Sequence, residues 1–212
     1  MKTRIAIVIT LTFFITRVFA QQSIQYETET NISYYSKDLM KGNKYMQKMC
    51  VFDFYYPTNI KNFPTIVWFH GGGLTGGKRD IPEYLKEKGF AVIGVEYRLS
   101  PNVKAVECIN DAAAATAWAF KHIENYGGNT WLIFVSGMSA GGYLTYMLGL
   151  DKKYLATHSI DANQIAGLIP FSGHAITHFT VRKEMGISGK TKTKCKSMFV
   201  IKRDGRKEQI MF

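Results

Sequence analysis

Short apolar runs that stop abruptly at glycine or proline set the pattern of this chain. Cys50–Tyr56 is rich in β-branched and aromatic residues and ends at Pro57, which reads as a strand. Thr65–Phe69 is a second such run, and it breaks into His70-Gly71-Gly72-Gly73. Phe90–Tyr97, Trp131–Val135 and Ile165–Phe171 complete the set. These runs are apolar almost throughout instead of alternating, as strands buried on both faces require. Helical patterns lie between them. Asp80–Lys88 has an N-cap candidate in Asp80, Pro82 in the first turn and Gly89 just past the end. Val106, Ile109, Ala113, Ala117 and Phe120 recur at spacings of three and four, and Tyr126-Gly127-Gly128 closes that helix. Residues 21–49 are polar with scattered tyrosines and read as an arm leading into short strands. Strands alternating with helices predict the α/β class, with a mostly parallel sheet covered by helices on both faces.

Composition changes this picture at the two ends. Lys2 and Arg4 precede the apolar run Ile5–Ile15, and Val18-Phe19-Ala20 offers compact residues for cleavage, so 1–20 reads as a secretory signal peptide. The expected location is secreted or periplasmic, with no membrane span after cleavage, since no other run is long enough to cross a bilayer. In that setting Asn31-Ile32-Ser33 is a glycosylation triplet for a eukaryotic route. The net charge of +11 suggests a nucleic-acid partner until it is divided along the chain. Residues 1–20 carry +3 and 182–212 carry +7, which leaves +1 for the body. A basic binding face is therefore unsupported and no nucleic-acid partner is expected. Cys50, Cys108 and Cys195 lie far apart without metal-ligand spacing, so no metal site is expected. Either one disulfide with a spare thiol or three free cysteines fits that count.

The candidate chemistry lies in two glycine-rich turns. Trp131–Val135 leads into Gly137-Met138-Ser139-Ala140-Gly141, the spacing G-x-S-x-G, followed by a stretch that can be helical. A serine on a sharp strand-to-helix turn occupies a strained backbone, and its neighbours must lack a Cβ for the turn to close. That turn exposes the hydroxyl at a helix N-terminus, which favours developing negative charge. His70–Gly73 also follows a strand, and its glycines let backbone N–H groups approach an oxyanion. A phosphate-binding reading is weakened because Gly76-Gly77-Lys78-Arg79 lacks the P-loop spacing. Gly94-Val95-Glu96-Tyr97-Arg98-Leu99-Ser100-Pro101 stands between the two turns.

With these three motifs in this order, the chain resembles secreted α/β-hydrolase carboxylesterases of the hormone-sensitive-lipase and feruloyl-esterase-like (BD-FAE) type over roughly Val51 to Gly186. The resemblance implies an α/β-hydrolase fold and hydrolysis of a carboxylic ester through an acyl-serine, without cofactor. Ser139 would be the nucleophile, and the N–H groups of Gly71, Gly72 and Ala140 would form the oxyanion hole. The substrate would be a small-molecule or polysaccharide-linked ester. A serine peptidase is the enzymatic runner-up, and a non-catalytic binding protein or functionless fragment on the same fold is the other alternative.

One departure bears on activity. The family orders its triad serine, acid, histidine. Here the last histidine, His178, comes only 39 residues after Ser139. The segment 186–212 is lysine-dense and aperiodic. The chain is therefore expected to hold an incomplete hydrolase domain over 21–185, truncated or frameshifted near Gly186. The last strands and the triad acid and histidine are expected to be missing, with 186–212 a disordered basic tail. A sheet edge would then lie open. Of the remaining candidates, His174 and His178 follow the run 165–171 and belong near the rim where Ser139 should lie. His70 is expected to brace the glycine loop, His122 to lie on a helix and His158 in a connector. Asp204, after Met198–Ile201, imitates an acid at a strand end.

Overall fold

In a computed structural model, residues 23–174, 177–187, 198–201 and 207–210 are described. The signal segment 1–20, Cys195 and Asp204 lie outside the described residues. Six strands form one sheet: β1 (Tyr26–Ser33), β2 (Val51–Pro57), β3 (Phe63–Phe69), β4 (Ala91–Val95), β5 (Gly128–Met138) and β6 (Gly167–Phe171). Their spatial order is β1-β2-β4-β3-β5-β6. β1 and β2 are antiparallel to their neighbours, while β4, β3, β5 and β6 run parallel. The polar arm is thus partly strand. β1 covers the edge of β2, and half of its residues are exposed with none fully buried, which is why its sequence carries no apolar run. Two short helices, α1 (Lys37–Met40) and α2 (Lys44–Met49), link it to β2. Met198–Ile201 (β7) and Lys207–Ile210 (β8) pair antiparallel as a separate ribbon.

The main core lies between one face of the sheet and two helices, α3 (Ala105–Tyr126) and α4 (Ala140–Leu150). Val67, Phe69, Ile93, Val95, Ile133 and Val135 project into it from the strands. Ala112, Ala113 and Ala119 of α3 are fully buried. Their small side chains let the helix approach the sheet closely. Val106 departs from the expected buried face and is 43% exposed, because Ala105 and Cys108 point inward at the start of α3 instead. Gly127 ends the helix in the left-handed conformation, φ 95°. Short α5 (Lys153–Ala156) and α6 (Phe179–Glu184) complete this layer.

The opposite face is covered more lightly. The helix expected over 80–88 is a single 3-10 turn at Glu83–Leu85. Its segment is held by tertiary contacts: Trp68 Nε1 donates to Asp80 Oδ1 at 3.2 Å, and the Trp68 and Tyr84 rings meet edge to face. Pro82 has extended backbone and does not begin an α-helical turn. β6 forms one edge of the described sheet, with Ile169 40% and Phe171 43% exposed.

Two polar links tie the helix layer to the loops. Asp111, fully buried among the alanines of α3, accepts from Arg98 Nε at 2.8 Å and Arg98 Nη2 at 2.7 Å. It also accepts from the Arg98 backbone N–H and the Tyr35 hydroxyl, both at 3.0 Å. The carboxylate holds the Arg98 guanidinium above its ordinary range, and burial beside Asp111 pushes the Tyr35 hydroxyl up. At the start of α3 no local side chain caps the helix. Glu184 of α6 does so from a distance, accepting from Ala105 N–H at 3.0 Å and from Ser100 Oγ at 2.9 Å. α6 is itself capped by His178, whose Nδ1 accepts from Thr180 N–H at 3.2 Å. Burial, and secondarily His174, lower the His178 pKa from 6.5 to about 4.

Two predictions follow from these links. Asp111→Asn leaves the Arg98 guanidinium with Glu107, 3.2 Å from Nη2, as its remaining charge partner and should cost about 3 kcal/mol in urea unfolding; a loss under 1 kcal/mol would show that the Asp111 charge is not needed. For His178, the unfolded chain takes up a proton near pH 6.5 that the folded chain refuses until about pH 4. Stability contributed by this group is therefore full above pH 6.5 and falls as the pH drops towards 4. His178→Asn keeps a capping acceptor but cannot titrate, so its unfolding free energy should fall less steeply in that window; equal slopes would contradict the assignment.

Candidate functional site

The parallel strands place the two glycine-rich turns side by side. β3 and β5 are paired in register, Phe69 opposite Gly137, so both chains leave the sheet at the same end. β4 lies on one side of β3 and β5 on the other. Ligand crevices of open α/β sheets form where the winding reverses in this way, beyond the carboxyl ends of the strands. Ser139 joins β5 to α4 with φ 54° and ψ −109°, a conformation that L-residues rarely adopt. It is held there by its own N–H, which donates to the Phe171 carbonyl at 2.7 Å, and by Ser136 Oγ, which donates to the Ile169 carbonyl at 2.6 Å. Strain of this kind costs about 1–3 kcal/mol and persists where the surroundings over-determine it. Ser139 is half-buried, and among the described residues no side chain hydrogen-bonds its hydroxyl.

Gly71 and Ala140, two of the expected oxyanion donors, adjoin this serine. A Cβ placed on Gly71 would lie 3.2 Å from the Met138 carbonyl and 3.5 Å from Ser139 Cβ, so the loop passes directly against the turn. Ala140 is the first residue of α4, where N–H groups have no partner inside the helix. Among the described residues the N–H groups of Gly71, Gly72 and Ala140 are taken by no acceptor.

His70 braces the loop, as expected. It is buried, with Nε2 3.1 Å from Glu96 Oε1 and Nδ1 2.7 Å from the Gly71 carbonyl. The Tyr97 ring stacks on it at 4.3 Å. His174 and His178 do come to the neighbourhood of α4: Gly173 packs against Gly142, and the His178 ring lies 5.2 Å from that of Tyr143. Neither is hydrogen-bonded to Ser139. His178 Nδ1 is occupied in capping α6, and its buried Nε2 has no partner among the described residues. His122 stacks beside Trp118 on α3, and His158 lies in the connector after α5. Cys50 and Cys108 are buried free thiols, and burial pushes each up to about 12. Among the described residues no cluster of three or more His, Cys, Asp or Glu side chains is placed to hold a metal ion.

The sequence reading missed α6. Phe179 packs over Gly73, and Thr180 Oγ1 donates to the Gly73 carbonyl at 2.6 Å, so this helix fastens the far end of the glycine loop. A cavity of about 1140 Å³ opens between α4 and α6. Its lining includes Tyr143, one turn past Ser139, and His174, but not Ser139.

Comparison with known proteins agrees with this geometry. Esterase LipC of Mycobacterium tuberculosis is 33% identical over 104 residues, 45% of this chain and 26% of its own length. Carboxylic ester hydrolase LipN of the same organism is 34% identical over 97 residues, 43% of this chain and 26% of its own length. The chain thus spans about a quarter of the length of these relatives. Among solved structures, esterase B from Lactobacillus rhamnosis superimposes with a TM-score of 0.54 at 24% identity, covering 68% of this chain and 45% of that one, which is a likeness of fold. The BD-FAE family profile matches residues 52–203, running past Gly186 into the basic segment. That match takes in most of the chain, which belongs to the BD-FAE family and has the α/β-hydrolase fold.

Proposed function

We propose that this chain is a carboxylic-ester hydrolase working through an acyl-serine intermediate. One observation carries the reading: Ser139 is held at positive φ on a strand-to-helix turn, directly against Gly71 and its unoccupied neighbouring N–H groups. In this reading Ser139 Oγ attacks the ester carbonyl, its proton passes to a base, and the alkoxide leaves as an alcohol. The N–H groups of Gly71, Gly72 and Ala140 hold the tetrahedral oxyanion. Each such donor is worth about 3 kcal/mol of barrier. Water then cleaves the acyl-enzyme to the acid and regenerates the serine. The relatives named as esterases support ester chemistry over peptide cleavage. The substrate class is a small-molecule ester or an acyl group carried on polysaccharide, and export through segment 1–20 places the protein outside the cytoplasm. Among the described residues no helix is long and apolar enough to cross a membrane.

The described residues bring no base to Ser139 Oγ, which favours one second reading, a binding protein on the same scaffold. A single experiment separates the two. The folded chain should react with a fluorophosphonate probe at Ser139 and hydrolyse a short-chain p-nitrophenyl ester, and Ser139→Ala should abolish both. A cooperatively folded chain that neither labels nor turns over would leave the binding reading standing and remove the enzyme reading.

A further inference from the structure

We infer that Tyr97 and His70 are positioning residues that aim the two glycine N–H groups of the oxyanion loop. The role of those N–H groups rests on the ester-hydrolase reading; the direction in which they point does not.

In a trans peptide the carbonyl and the N–H of one plane point in opposite directions. The N–H of Gly71 shares its plane with the His70 carbonyl. That carbonyl accepts from the buried Tyr97 hydroxyl at 2.9 Å. The N–H of Gly72 shares its plane with the Gly71 carbonyl, which faces His70 Nδ1 at 2.7 Å. Each plane is therefore anchored at its oxygen, one by Tyr97 and one by His70. Both N–H groups are left facing away from the ring stack and stay unoccupied among the described residues.

The anchors support each other. A carbonyl oxygen can only accept, so the 2.7 Å contact assigns a proton to His70 Nδ1. On the other side of the ring, Nε2 meets Glu96 Oε1 at 3.1 Å, with the two side chains 4% and 9% exposed. The other oxygen of Glu96 accepts from the Arg79 backbone N–H at 3.1 Å, which fixes the carboxylate. The Tyr97 ring lies nearly parallel to His70, 11° apart, so stacking sets the plane of the imidazole. Space is reserved for the arrangement: Gly77 has φ 99°, and a Cβ there would collide with both His70 Nδ1 and the Gly71 carbonyl.

Tyr97→Phe keeps the ring, the stack and the core volume and removes only the hydroxyl donor. Glu96→Gln weakens the hold on His70 while leaving Tyr97 in place. In amide NMR of the full chain, Tyr97→Phe should shift the Gly71 N–H resonance, with Gly72 little changed. Glu96→Gln should move Gly72 more than Gly71. In turnover of a p-nitrophenyl ester, Tyr97→Phe should lower kcat about tenfold, with KM within about twofold. An unchanged Gly71 amide in a folded Tyr97→Phe protein overturns the inference, as does a uniform shift of the whole loop in both variants. If Tyr97→Phe does not fold, the Gly72-over-Gly71 pattern in Glu96→Gln decides alone. A wild-type chain without turnover removes the ester reading and leaves the amide comparison able to decide this one.

Discussion

The backbone of Gly141 presses against the Phe69 carbonyl so closely that any side chain there would collide with it. Everything at the site depends on this approach between the end of β3 and the start of α4. It brings the turn after β5 under the loop after β3, which is how Gly71 comes to face Ser139. A wider separation would leave a strained serine with no donors beside it. The strain at Ser139 is tolerable because three strands share it. β5 delivers the residue, β3 limits where α4 can begin, and β6 binds the Ser139 N–H through Phe171. The contact between Gly142 and Gly173 repeats the device one step further along, with backbone against backbone.

Around this backbone contact the polar side chains are distributed with little redundancy. Residues 96 to 98, which follow β4 directly, divide the work. Glu96 turns to the histidine of the glycine loop, Tyr97 stacks on that histidine, and Arg98 reaches to Asp111 in α3. A buried carboxylate is costly unless paired and hydrogen-bonded, and both Glu96 and Asp111 meet that condition on both oxygens. Three consecutive side chains thereby fix the loop after β3 relative to the helix layer.

Much of this was legible in the sequence because it depends on local composition. Apolar runs marked β2 to β6, and the spacing of Gly137, Ser139 and Gly141 marked the turn. What stayed hidden depends on partners far apart in the chain. Nothing near Lys104 signals that the α3 N-terminus is capped by Glu184, 79 residues after Ala105. Asp80, Pro82 and Gly89 carry helix-boundary chemistry, yet the segment between them makes one 3-10 turn. Asp80 is drawn to Trp68 instead of capping a helix, so tertiary contact overrode local preference. Val106 failed as a core position because alanine periodicity on α3 allows more than one inward face, and Cys108 and Ile109 decide between them. His70 was legible as a brace from its place beside the glycines, but its partners were not. Glu96 and Tyr97 were visible only as part of a motif without assigned roles.

The remote cap carries a further physical consequence. The N-terminus of α3 presents partial positive charge from unpaired N–H groups. Lys104 stands at its N-cap and its side chain offers no acceptor. Glu184 is therefore the group that satisfies this end, and in doing so it draws α6 onto the helix layer. α6 then carries Thr180 to the Gly73 carbonyl and Phe179 over Gly73. The chain of contacts runs from helix electrostatics, through a six-residue helix, to the far end of the glycine loop. The loop is thus fixed at its first two peptides by residues that follow β4 and at its far end by residues that follow β6. Rigidity on both sides is what lets three glycines, the most flexible residues available, present a fixed array of N–H groups.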